Sequence, residues 1–176
     1  MDWINAIVQG TLLGGLYAMF AAGLSLIFGV MRLVNIAHGD LIVLSAYLAL
    51  TVTIALGVNP IIAMILVVPA MAAFGYGLQR LVLNQTMGDD ILPPLLVTFG
   101  LSVILQNTLL TVYTADPQKL NAGSIETASV TMGELNLGVM PLIVFATSIA
   151  VIGVLQWVFY KTALGRAFRA TSDLKN

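Results

Sequence analysis

The chain has 176 residues, 59% of them hydrophobic and 9% charged, with a mean hydropathy of +1.00. A soluble domain carries about 25% charged residues, and seven basic plus eight acidic side chains cannot cover one of this size, so a soluble globular domain is excluded and lipid is the covering. The absence of cysteine excludes disulfides, thiolate metal sites and cysteine nucleophiles, and a net charge of −1 with scattered basic residues offers no nucleic-acid surface.

The opening stretch, MDWINAIVQG, has an acidic residue where a secretory signal carries a basic region. The apolar run behind it outlasts a signal's core, so a retained span is expected. Charge-free intervals then follow at Trp3 to Met31, Leu41 to Gln79, Ile91 to Ala115 and Leu135 to Tyr160, each long enough for a span of about 20 residues. The second divides at LGVNPI, where Gly57 can end a helix in the left-handed conformation and Asn59-Pro60 favours a turn and a fresh helix start. The expectation is an all-α, polytopic membrane fold with about five transmembrane helices, their cores near 5–31, 38–56, 61–82, 92–114 and 138–160.

Within the first span Gly10, Gly14, Ala18 and Ala22 recur at intervals of four and share one helical face. Small side chains let membrane helices approach closely. The stripe fits ordinary helix packing and also a tightly packed pathway wall. Ala73 and Gly77 repeat the theme in the third span.

Between the first two spans lies MRLVNIAHGD, which brings Arg32, Asn35, His38 and Asp40 into greasy sequence. The first apolar run would be about 42 Å long as a helix, well beyond a hydrocarbon core of about 30 Å, so it must tilt, protrude or break. The next, 41–56, has only sixteen residues, about 24 Å, and must borrow the polar residues before it or begin partway into the membrane. One helix is therefore expected to be discontinuous near residues 32–41. Exposed backbone at such depth is tolerated only in protein or beside a water-filled cavity, Gly39 supplies freedom for the break, and broken elements mark transport pathways. The candidate pathway residues are Asn35, Ala37, His38, Gly39 and Asp40. The alternative is a turn at the cytoplasmic interface, with Asn35 or Asp40 capping the second helix. His38 is the sole histidine in a chain without cysteine, so no metal site is expected there.

Farther along, Pro69 falls inside the third span, where it removes a helix hydrogen bond and favours a kink. Pro93 and Pro94 belong in a first helical turn, where the missing donor is harmless, and Asp89 and Asp90 before them suit a helix N-terminus. The connection 116–138 becomes an external loop. Its Thr, Ser, Val and Ile content allows a short hairpin, although a solvated loop is the commoner outcome. With the N-terminus outside, Arg32, Arg80, Lys161, Arg166, Arg169 and Lys175 all fall on the cytoplasmic side and only Lys119 outside, as the positive-inside rule requires. The tail 161–176 carries Lys161, Arg166 and Arg169 with helix-like apolar spacing at Leu164, Ala167 and Phe168. Thr171 continues that spacing, and the tail is either a short amphipathic helix or a basic loop against anionic lipid.

No phosphate loop, nucleophile elbow or zinc-protease motif occurs. Catalytic residues and cofactors are not expected, and any energy must come from another protein.

The stretches GTLLGGLYAMFAAGLSLIFGVMRLVNIAHGDLIVLSAY, LLVTFGLSVILQN and ALGRAFRATSD resemble permease subunits of branched-chain amino-acid ABC importers of the high-affinity leucine, isoleucine and valine type. By that resemblance Asn35, Ala37, His38 and Gly39 match the family's N-x-A-H-G element, implicated in a discontinuous pathway helix. Gly165, Arg166, Ala167, Arg169, Ala170 and Asp173 match its cytoplasmic segment that couples to the ATPase. The implied assembly has a second permease subunit, ATP-binding cassette ATPase subunits and a periplasmic substrate-binding protein in a bacterial-type inner membrane.

Family members continue past the coupling segment into more spans, so the chain is expected to be a truncated, N-terminal half forming a single transmembrane permease domain. The functional expectation is a non-enzymatic permease subunit for branched-chain amino acids, with ATP hydrolysed on a partner. Urea and short amides stay open as substrates. A non-transporting, truncated assembly or regulatory membrane subunit is the alternative function.

Overall fold

The charge-free runs fold into helices, the second into two and the last after the short strand 135–138, because a backbone in lipid must satisfy its polar groups internally. The computed structural model describes residues 2–31, 33–86, 88, 90–120, 123, 128–132, 135–162 and 165. Five helices are long and apolar enough to cross a membrane. They are α1 (Asp2–Met31), α2 (His38–Leu56), α3 (Pro60–Leu78, running on to Thr86), α4 (Leu92–Tyr113) and α5 (Val139–Lys161). Their bounds match the expected cores within a few residues, except that the third span is longer. The large apolar side chains they expose, among them Trp3, Tyr17, Ile54, Ile65, Leu81, Ile104 and Trp157, are the covering that lipid requires.

The chain gathers into two compact units, residues 1–32 with 123–176 and residues 33–122. In the first, α1 packs along α5. A Cβ at Gly15 would lie 2.5 Å from Phe145 Cδ2, so glycine is what lets the two helices approach there. Leu12 is buried on the same side of α1. Gly10, Gly14 and Ala18 lie on the exposed side, Ala22 is half-buried, and a Cβ at Gly10 or Gly14 would meet nothing within 4 Å.

This unit also holds a β-hairpin. Strand β1 (Ser129–Met132) pairs antiparallel with β2 (Leu135–Gly138), with Val130 opposite Leu137. Val139 N–H extends the pairing by donating to Ala128 O at 3.0 Å. Of the two outcomes open to the 116–138 connection, its strands 129–132 and 135–138 take the hairpin, which suits the β-branched Val130 and Thr131.

In the second unit the LGVNPI junction folds as its residues dictate. Gly57 ends α2 at φ +62°, a left-handed conformation that glycine adopts without steric cost. Asn59 Oδ1 accepts from Ile61 N–H at 2.9 Å, and Pro60 is the first residue of α3. Helix α3 contains Pro69 and passes at its end into a π turn, Gln79–Leu83, before a last helical turn, Asn84–Thr86. Asn84 N–H reaches back five residues to Gln79 O, while Gln79 Nε2 donates to Asn84 Oδ1 at 2.9 Å. This extra turn carries the third span past residue 82. Pro94 stands buried in the first turn of α4, and Asp90 Oδ1 accepts from Leu92 N–H at 3.1 Å just before it. Asp89 lies outside the described residues.

Candidate functional site: a polar ladder between α2 and α4

Residues 33–35 enter α2 without regular structure, 36–37 form a turn, and burial alternates along the five. Leu33, Asn35 and Ala37 are buried, while Val34 and Ile36 are exposed. Asn35 folds the chain into the helix, its Oδ1 accepting from Ala37 N–H at 3.0 Å and its backbone carbonyl from His38 N–H at 3.2 Å. Ala37, fully buried, is the N-cap, and its carbonyl takes the first helical bond, from Leu41 N–H at 2.9 Å. The α2 cap has no side-chain hydrogen bond, so Asn35 organises the turn one step ahead of the cap position. His38 begins the helix half-buried, followed by exposed Gly39.

Asp40 turns to α4. Ser102 Oγ donates to its Oδ2 at 2.5 Å, and Gln106 Nε2 donates to its Oδ1 at 3.1 Å and to Ser102 Oγ at 3.2 Å. Toward the helix start, Ile36 N–H donates to the Thr98 hydroxyl at 3.3 Å, and Thr98 donates in turn to Leu95 O at 3.1 Å. At the other end, Thr51 Oγ1 and the Tyr113 hydroxyl lie 2.5 Å apart, with the Tyr47 and Tyr113 rings stacked at 4.3 Å between centroids.

Three of these pairs, Ile36 with Thr98, Asp40 with Ser102 and Thr51 with Tyr113, share one offset of 62 residues. A constant positive offset means that α2 and α4 run side by side in the same direction. It also means that Asp40, in the first turn of α2, is level with Ser102, halfway along the 22-residue α4. Helix α2 thus begins, at His38 level with residue 100, about 12 Å beyond the start of α4 at about 1.5 Å per residue, and the non-helical residues 33–37 precede it alongside the first half of α4. The short second span is accommodated by this stagger.

Of the residues expected from the sequence, Asp40 joins the ladder, with Thr98, Ser102, Gln106, Tyr47, Thr51 and Tyr113, which were not among those expected; Asn35 and Ala37 instead shape the turn that carries Ile36 to Thr98. A signal for half of them was present: Thr98, Ser102 and Gln106 recur every four residues in an apolar span, forming one polar stripe. Of the candidate coupling residues, Gly165 is buried, and its N–H donates to Thr162 Oγ1 at 3.3 Å beyond the end of α5. Arg166, Ala167, Arg169, Ala170 and Asp173 lie outside the described residues. Among the described residues no group of three metal-ligating side chains comes together.

Residues 6–175 match the family described as branched-chain amino acid transport system, permease component. The chain belongs to this permease family. It is 26% identical to the high-affinity branched-chain amino acid transport system permease protein BraD of Pseudomonas aeruginosa over 98% of this chain and 60% of the relative. The permease protein LivH of Salmonella typhimurium gives the same identity and coverage. LivH of Escherichia coli K12 is also 26% identical, over 60% of this chain and 37% of the relative. This permease-family chain therefore spans about 60% of the length of the first two relatives. No solved structure matches it.

Proposed function

We propose that the chain forms part of the translocation pathway of an ATP-driven importer for branched-chain amino acids. The carrying observation is the family match across residues 6–175, which falls on five helices fit to cross a membrane. In this reading the chain works beside a second permease subunit, takes substrate from a periplasmic binding protein and couples to ATP-binding cassette ATPases. The pathway runs by the broken entry to α2, at Asn35, Ala37, His38, Gly39 and Asp40, and coupling falls on 161–176 through Gly165, Arg166, Ala167, Arg169, Ala170 and Asp173. The N-terminus lies outside and the C-terminus in the cytoplasm of a bacterial inner membrane, which the six-to-one division of basic residues supports. The relatives named above are all permease proteins, which favours transport over a role in assembly alone.

The test is deletion of the gene followed by complementation, reading ATP-dependent uptake of labelled leucine. Loss on deletion and recovery with the wild-type gene are expected, while unchanged uptake overturns the reading. Arg166→Glu combined with Arg169→Glu should abolish co-purification with the ATPase; retention of the complex would remove 161–176 from the coupling role.

A further inference from the structure

At about 1.5 Å per residue α4 is about 33 Å long, close to a hydrocarbon core of about 30 Å, so its halfway point lies near the bilayer midplane. Asp40 is level with that point through Ser102. An acidic side chain at such depth faces the bundle interior or a water-filled cavity, because lipid cannot solvate it.

Its two hydrogen bonds come from neutral groups, Ser102 Oγ and Gln106 Nε2. They orient the carboxylate without cancelling its charge, and among the described residues no cationic side chain lies within ion-pair distance of it. An ionised carboxylate only accepts hydrogen bonds and offers about four lone-pair directions, of which these donors fill two. The surroundings are open: Gly39 and Gln106 are exposed and Asp40 is half-buried. A small cation with several N–H donors would fill the remaining directions.

We propose that Asp40, oriented by Ser102 and Gln106, binds the ammonium group of the amino acid in transit, reached through water along the open side of the α2–α4 pair. The proposal deepens the importer reading and rests on it. It also selects among substrates, since urea and short amides carry no cation for the carboxylate to attract.

A chain without cysteine allows single-cysteine reporters. Gln106→Cys is one. Gly39→Cys is a second, at a position where a Cβ meets nothing within 4 Å. Ile104→Cys, exposed on the opposite side of α4, is the lipid-facing control. In membrane vesicles carrying the full-length protein without ATP, a charged methanethiosulfonate should label both reporters at least about tenfold faster than the control, as water access requires. Leucine should slow labelling, whereas 4-methyl-2-oxopentanoate, which lacks the ammonium group, and acetamide should not. Asp40→Asn in the Gly39→Cys background should keep the labelling and raise the half-protecting leucine concentration at least about tenfold, the size of one lost charge-assisted hydrogen bond. Reporters as slow as the control overturn the water path. Absent leucine protection, equal protection by the oxo acid or acetamide, or protection unchanged by Asp40→Asn each overturns the ammonium site. Failure of the importer reading is separate: it is the absence of ATP-driven leucine uptake by the wild-type protein.

Discussion

Helices α1 and α5 are held together by shape, and helices α2 and α4 by polar atoms. In the first pair a missing Cβ at Gly15 lets Phe145 seat against the backbone, with Leu12 buried alongside. In the second, hydroxyls, an amide and a carboxylate bridge the helices at one constant register. Lipid tails are as apolar as leucine, so burying apolar surface brings membrane helices together only weakly, and close van der Waals contact or interhelical hydrogen bonds must do it. The two pairs use these two means. The difference has a functional side, because shape-based contact needs no water, whereas the Asp40 carboxylate cannot sit against lipid and must face protein or water.

The largest expected effect lies in the shape-based pair. Gly15→Leu should destabilise the protein by about 3 kcal/mol through overpacking against Phe145, while Gly14→Leu, with open space at its Cβ, should change stability by less than about 0.5 kcal/mol. Denaturant titration in detergent compares them, and equal losses would return the packing role to the Gly10, Gly14, Ala18 and Ala22 stripe. Next comes the polar pair. Asp40→Ala strands the Ser102 and Gln106 donors but also removes a costly charge, so a net loss of about 1 kcal/mol is expected; a loss as large as that of Gly15→Leu would show that the ladder is chiefly a structural clamp. The smallest loss expected in the polar pair is that of Ser102→Ala, at about 0.6 kcal/mol, the average for an interhelical hydrogen bond in a membrane protein. A double-mutant cycle with Gln106→Ala would then measure whether Ser102 and Gln106 act on Asp40 as a unit.

Much of the fold was legible because membrane helices follow from composition and their ends from local turn chemistry. Gly57, Asn59 and Pro60 act within a few residues of each other, so LGVNPI could be read without knowing what lies around it. The stretch 33–40 was legible only in part. Its length mismatch showed that the second span had to start deep or borrow polar residues, but Asn35 and Asp40 were both considered as caps, and neither provides a side-chain cap for α2. The π turn at Gln79–Leu83 leaves no mark in hydropathy or turn chemistry, and Gly15 is hidden beside the more regular stripe of Gly10, Gly14, Ala18 and Ala22.

The sequence by itself determined that the chain lies in a membrane, how many helices are fit to cross it, and which turns separate α2 from α3, since hydropathy and local backbone preference act over short distances. The tertiary structure decided that Gly15 is the point of close approach, and that Asp40 meets Ser102 and Gln106 at a 62-residue offset. Those outcomes depend on which faces of distant helices meet and at what stagger, and in an apolar span nearly every face is greasy enough to be a candidate.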